Sequence, residues 1–192
     1  MIAILKYNAG NTRSVENAVK RLGYDCVITD DKELLLKADK VIFPGVGEAG
    51  SSMHYLIEKG LDVTIKSLKQ PVLGICLGLQ LMCKSSEESD TIGLGIFDCT
   101  VRKFPPKDKV PHMGWNNFEL LENVLFKGVA TSDDVYFVHS YYAELSKETI
   151  ATCNYILPFS AGLKKDNFYA VQFHTEKSGK IGELILKNFL EL

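Results

Sequence analysis

The sequence predicts an α/β fold: a mainly parallel central sheet with helices on both faces, extended by antiparallel strands in its second half. Three observations carry this. From Met1 to Lys84, short apolar strands alternate with helical patterns. From Gly95 to Phe173 the segments are mostly strand-like, with few helices between them. Between these two regions lies Gly74-Ile75-Cys76-Leu77-Gly78, where a strand turns abruptly into a helix.

Taken in order, Ile2 to Tyr7 reads as a strand, and Asn11 to Leu22 as a helix with Val15, Ala18, Val19 and Leu22 on one face. Tyr24 to Thr29 is a second strand and Lys40 to Phe43 a third, followed by Pro44-Gly45. Helical pattern returns from Ser51 to Leu68, interrupted by Gly60. Pro71 to Ile75 is a strand, and Leu79 to Lys84 the helix that follows it. Further strands are predicted at Gly95 to Phe104, Val110 to Leu120, Asp134 to His139, Tyr141 to Leu145, Ile150 to Tyr155, Ser160 to Lys165 and Phe168 to Phe173. A last helix runs from Ser178 to Leu192, with Ser178 as its expected N-cap. Gly95 to Lys109, centred on Pro105-Pro106, is the nearest approach to a flexible stretch.

A chain of 192 residues suits one domain spanning 1–192, with a single substantial core. Its 46% hydrophobic and 24% charged content is that of an ordinary globular protein. A net charge of −2 carries no footprint for nucleic acid or an anionic membrane. The five cysteines are odd in number and lack CxxC spacing, which argues against a disulfide framework or metal site and for a reducing compartment. Met1-Ile2-Ala3-Ile4-Leu5 opens straight into a strand, with no basic leader or membrane-length apolar run. The expectation is a cytoplasmic enzyme or enzyme subunit.

The chemistry starts at Cys76. Glycines at 74 and 78 remove side chains where the turn is tightest. The helix start directs free N–H groups and the positive end of its dipole at the sulfur, which favours thiolate over thiol. A lone cysteine in an apolar stretch is ordinarily a core residue, and Cys83 is read that way. Cys76 differs because partners are available. A cysteine nucleophile needs a base, and the base an orienting group. Of the four histidines, His54, His112 and His139 have no carboxylate at a useful spacing. His174 ends the strand Tyr169 to Phe173, and Glu176 lies two residues on, on the same side if extended geometry persists. Glu176 would then hold the His174 tautomer that serves a thiol.

Gly45-Val46-Gly47-Glu48-Ala49-Gly50 matches GxGxxG, but it follows the third strand and no strand-ending acid appears about twenty residues later. A dinucleotide site is therefore not expected. The loop instead offers backbone donors to an oxyanion, together with the N–H of Leu77. Lys177-Ser178-Gly179-Lys180 lacks a GxxxxG frame and reads as a helix start with a basic rim.

Together these residues resemble the class I, triad-type glutamine amidotransferases. Gly74 to Gln80 is similar to that family's nucleophile motif, and Phe173-His174-Thr175-Glu176 to its His-x-Glu motif. Within the family the resemblance is nearest to the glutaminase subunits of imidazole glycerol phosphate synthases, and it covers essentially the whole chain. Tyr7 to Asn11, Pro44 to Gly47, Val138 to Tyr141, Glu176 to Ser178 and, most specifically, Pro111-His112-Met113-Gly114-Trp115-Asn116 carry it. Thr175 stands where the family usually has Pro, and Lys6-Tyr7-Asn8 where it has Asp-Tyr-Gly.

The resemblance implies a flavodoxin-like sheet, glutamine as substrate and no cofactor. It implies that Cys76, His174 and Glu176 are catalytic, that Gly45, Val46, Gly47 and Leu77 form the oxyanion hole, and that Gln80, Glu88, Ser140 and Tyr141 hold the substrate. From sequence alone, Glu88 in Glu87-Glu88-Ser89-Asp90 reads as a solvated acid. The implied partner is a (β/α)₈-barrel cyclase in a heterodimer, met through Asn8, Asn11, Met113, Trp115, Asn116 and Lys177. Trp115, the only Trp, suits an interface anchor, the alternative being a cap on the core. A glutaminase for an anthranilate or aminodeoxychorismate synthase, or a non-hydrolytic interaction or redox module, are the other functions that these motifs allow.

Overall fold

A computed structural model describes residues 1–192. Strand β1 (Ile2–Leu5) is buried at every position, because both of its faces are covered. Ile2 and Ile4 enter one core and Ala3 and Leu5 the other. This is why the parallel strands read as continuous apolar runs instead of alternating ones. Helix α1 (Thr12–Arg21) buries Val15, Ala18 and Val19 and starts at Asn11 in the left-handed region, φ 78°. β2 (Cys26–Thr29) follows, then α2 (Lys32–Lys37), β3 (Lys40–Phe43), α3 (Ala49–Glu58), α4 (Leu61–Ser67) and β4 (Val72–Ile75). Gly60, at φ 63°, separates α3 from α4 as the sequence predicts. Helix α2 escapes the sequence reading: it has six residues and buries only Leu35, although Asp31 caps it by accepting from the N–H of Glu33 and Leu34 at 2.8 and 3.1 Å.

Helix α5 (Leu77–Met82) is shorter than expected. Cys83 leaves it to begin β5 (Cys83–Ser86), where it pairs in parallel with Phe97. β6 (Thr91–Ile92) and β7 (Phe97–Lys103) complete this region, so the stretch anticipated as flexible is strand over most of its first half. The predicted strand from Val110 to Leu120 is two strands, β8 (His112–Asn116) and β9 (Leu120–Leu121), which join different sheets. β10 (Val135–His139), β11 (Tyr141–Ala143), β12 (Thr149–Tyr155), β13 (Leu157–Lys165), β14 (Phe168–Val171) and α6 (Gly179–Leu190) finish the chain.

The eight-stranded sheet has the order β2-β1-β3-β4-β14-β13-β12-β9. Its first five strands are parallel and the remainder antiparallel. β11-β7-β5-β6 form a second sheet, and β8 with β10 a two-stranded ribbon. Leu35, Leu56, Ile65 and Leu79 pack on one face of the main sheet; Val15, Val19, Ile185 and Phe189 pack on the other. No helix is long and apolar enough to cross a membrane. The parallel strands carry their carboxyl ends to one rim, where open α/β sheets bind ligands.

Candidate active site

Cys76 leaves the carboxyl end of β4 with φ 53° and ψ −104°, backbone angles that a non-glycine residue adopts only under strain. Neighbouring contacts hold it there. Its N–H donates to the Val171 carbonyl at 2.8 Å, and its carbonyl accepts from Gln80 at 3.2 Å. A side chain at Gly78 would drive into the Phe43 carbonyl, and one at Gly74 would lie 3.0 Å from the backbone of Gly78 and Leu79. The glycines are therefore demanded by the packing of α5 against β3 and β4. The thiol is 7% exposed at the floor of a cleft of about 310 Å³.

His174 arrives from β14, the strand beside β4. Its Nδ1 lies 2.7 Å from Glu176 Oε1. The contact is made differently from the expected extended strand: β14 ends at Val171, and Thr175–Lys177 form a 3₁₀ turn that folds the carboxylate back onto the ring. The other ring nitrogen, Nε2, is buried without a hydrogen-bond partner. Burial opposes a charge on His174, but the Cys76 sulfur and the Glu176 carboxylate outweigh it and raise the pKa to about 10. For Glu176 burial also opposes the charge, and the hydrogen bond and charge of His174, with Asn11, lower its pKa. This is the arrangement of nucleophile, base and orienting acid that acyl transfer requires.

Ser178 stands at the N-cap position of α6, as expected, but its side chain makes no capping bond. Its hydroxyl donates to the His174 carbonyl at 2.6 Å and accepts from the Tyr136 N–H at 2.9 Å, stapling the 3₁₀ turn to β10. Asn11, at the N-cap position of α1, likewise makes no side-chain capping bond; its amide donates to Glu176 Oε1. A residue expected at a partner interface thus touches the carboxylate that holds His174.

The loop Gly45-Val46-Gly47 adjoins the thiol, with Val46, Gly47 and Leu77 lining the cleft. The Leu77 N–H donates to the Gly45 carbonyl at 3.3 Å, and the Val46 carbonyl accepts from Gly10 at 3.1 Å. Beneath the loop, the buried Tyr7 hydroxyl donates to the Pro44 carbonyl at 2.7 Å.

Gln80, Glu88, Ser140 and Tyr141 all line the cleft. Glu88 is not a freely solvated acid. It is half-buried, and its Oε2 accepts from the Ala49 N–H at 2.9 Å. Burial raises its pKa despite that bond. Gln80 Nε2 donates to the Tyr141 carbonyl at 2.9 Å and to Gln172 Oε1 at 3.1 Å. Gln172, which sequence reasoning passed over, directs its Nε2 toward Cys76 Sγ at 3.6 Å. Its only sequence signal is its place two residues before His174. Equally unforeseen is the contact between His112 and His139, whose rings meet at 3.0 Å because their strands pair in register.

Of the residues expected at an interface, Asn8, Met113, Trp115 and Lys177 are exposed, and Asn11 and Asn116 half-buried. Met113 and Trp115 are 60% and 57% exposed, so Trp115 does not cap the core. It packs edge-on against Tyr136 across the ribbon.

The family model for glutamine amidotransferase class-I matches residues 3–192. The imidazole glycerol phosphate synthase subunit HisH of Bacteroides fragilis is 61% identical over 194 residues, covering all of this chain and 99% of that protein. The subunit HisH 1 of Methanococcus maripaludis is 45% identical over 202 residues, covering all of both. A solved glutamine amidotransferase structure, 21% identical, aligns over 99% of this chain and 97% of its own with a TM-score of 0.73.

Proposed function

This chain belongs to the class-I glutamine amidotransferases, and we propose that within the family it is the glutaminase subunit of an imidazole glycerol phosphate synthase. The observation that carries the reading is a strained Cys76 beside a His174 already oriented by Glu176 at 2.7 Å. The 192 residues act as one domain.

The Cys76 thiolate attacks the γ-carboxamide carbon of glutamine. The oxyanion is held by the Leu77 N–H, which gives up its bond to Gly45, and by a donor from the Gly45-Val46-Gly47 loop. His174 delivers its proton to the leaving nitrogen, ammonia departs, and a γ-glutamyl thioester remains. His174 then takes a proton from water as that water attacks the thioester, releasing glutamate. Gln80, Glu88 and the backbone at Ser140 and Tyr141 hold the amino-acid end of the substrate in the cleft.

Ammonia released into water would protonate and be lost, so the reaction calls for a partner that consumes it. That partner is a (β/α)₈-barrel cyclase in a heterodimer, seated against Met113, Trp115, Asn116, Asn8, Asn11 and Lys177. Exposed Met113 and Trp115 support this placement, since a large aromatic left bare beside polar neighbours suits an interface anchor.

The test is Cys76→Ser in the complex. Glutamine-dependent synthesis should disappear while added ammonium still supports product formation. Loss of the ammonium-dependent reaction as well would argue against a role confined to ammonia supply.

A further inference from the structure

A line of side-chain hydrogen bonds leaves the exposed ribbon and ends on the wall of the cleft, and its polarity follows from one end. The Tyr141 carbonyl only accepts, so His139 Nδ1, 2.7 Å away, carries a proton. In a neutral ring His139 Nε2 is then an acceptor, and His112 Nδ1 at 3.0 Å donates to it. His112 Nε2 in turn accepts from Asn116 Nδ2 at 3.3 Å, and the same amide donates to the Asn154 carbonyl at 3.0 Å.

Both rings are buried, at 4% and 6% exposure. His112 is stacked between Tyr155, with centroids 4.0 Å apart, and Phe137, at 4.8 Å. Burial holds the pKa of His112 down to about 4 and that of His139 to about 3, so both rings are neutral. At the far end, the Tyr141 carbonyl also accepts from Gln80, which continues through Gln172 to Cys76.

The fold does not need histidines here. The surroundings are Phe104, Phe137, Phe159 and Tyr155, among which apolar side chains would bury without losing hydration. What two histidines add is direction: a fully partnered buried network has one arrangement and resists displacement at either end. We propose that His139, held by His112, is a positioning residue that fixes the Ser140–Tyr141 backbone as a wall of the glutamine cleft and transmits the seating of a partner on the Met113–Asn116 ribbon to it. The inference rests on the glutaminase reading above.

The experiment measures glutamate release by the complex at saturating cyclase and cyclase ligand, varying glutamine. His139→Asn keeps a donor at the Nδ1 position, whereas His139→Gln moves the amide to the Nε2 position and abandons the Tyr141 carbonyl. His139→Gln should raise the glutamine KM about tenfold, as expected for one buried hydrogen bond, with kcat little changed. His139→Asn should keep KM within roughly threefold of the parent. A merely structural role would damage both variants alike, without separating KM from kcat. Asn116 is half-exposed, so Asn116→Ala decides the matter even if neither histidine variant folds, and it should raise KM roughly threefold. If the parent complex releases glutamate while His139→Gln and Asn116→Ala keep the parental KM, the positioning role is wrong and the glutaminase reading stands. If the parent complex releases none, the glutaminase reading fails and this inference with it.

Discussion

The backbone N–H of Leu77 donates to the carbonyl of Gly45 at 3.3 Å, so the donor that follows the nucleophile is joined to the loop that faces it. The two sides of the expected oxyanion hole are thereby locked together until substrate charge competes. Gly45 permits this closeness. A Cβ there would collide with the Tyr7 hydroxyl and lie 3.1 Å from Leu77 Cβ. Gly45→Ala should therefore lower glutaminase kcat by about 10²-fold or more, the scale of losing one oxyanion donor. Adding Tyr7→Phe removes the obstructing oxygen and should restore part of the lost rate. Steady-state kinetics of the single and double variants check this; equal rates for the two would contradict it.

Gly78 and Gly23 make a contrasting pair for stability. A methyl at 78 meets the Phe43 carbonyl, which belongs to a rigid central strand. A methyl at 23 meets nothing, and only its φ of 85° opposes substitution. Gly23→Ala should cost about 1–2 kcal/mol, and Gly78→Ala more than about 3 kcal/mol. Urea denaturation of both variants measures the difference.

Glu176 and Asn11 should separate in magnitude. Glu176→Gln removes the charge that steadies the His174 imidazolium, and kcat should fall by about 10³-fold. Asn11→Ala removes one hydrogen bond to that carboxylate and should cost about tenfold. An Asn11→Ala effect as large as that of Glu176→Gln would mean that Asn11 acts on more than the carboxylate.

Stability should pass through a maximum near pH 6.5. His112 and His139 have folded-state pKa values of about 4 and 3, below the ordinary 6.5, so the unfolded chain binds more protons as pH falls. Their contribution is complete above 6.5 and declines toward about 4 for His112 and about 3 for His139, with a slope of up to about 1.4 kcal/mol per pH unit for each ring. His174 has the opposite sign. Its pKa is raised to about 10, so its contribution is present below 6.5 and is lost as pH climbs toward 10. Thermal melts from pH 4 to 10 should trace both limbs, and His139→Asn should flatten the acidic one.

Much of this was legible in the residue order. The alternation up to Lys84 prescribes the parallel sheet, and Gly74 to Gly78 the elbow, because apolar runs and glycine positions are local properties. The 3₁₀ turn that brings Glu176 to His174 was not, since the i+2 spacing is compatible with a strand or a turn. Helix α2 was missed for want of length, and the split between β8 and β9 because their partners, β10 and β12, are remote in sequence. The histidine pair was invisible for the same reason. His112 and His139 are 27 residues apart and meet only through strand register.

The adjacency of β4 and β14 has a consequence for biosynthesis of the chain itself. Gln172 and Cys76 touch across 96 residues of sequence, and His174 follows two residues on, just beyond the end of β14. During translation the thiol leaves the ribosome long before its base does, and contacts of such separation form late in folding. A nascent or truncated chain ending before β14 carries the cysteine but neither imidazole nor carboxylate. Glutamine hydrolysis therefore waits on synthesis of the segment from β14 through Glu176, and ammonia release is tied to possession of that segment.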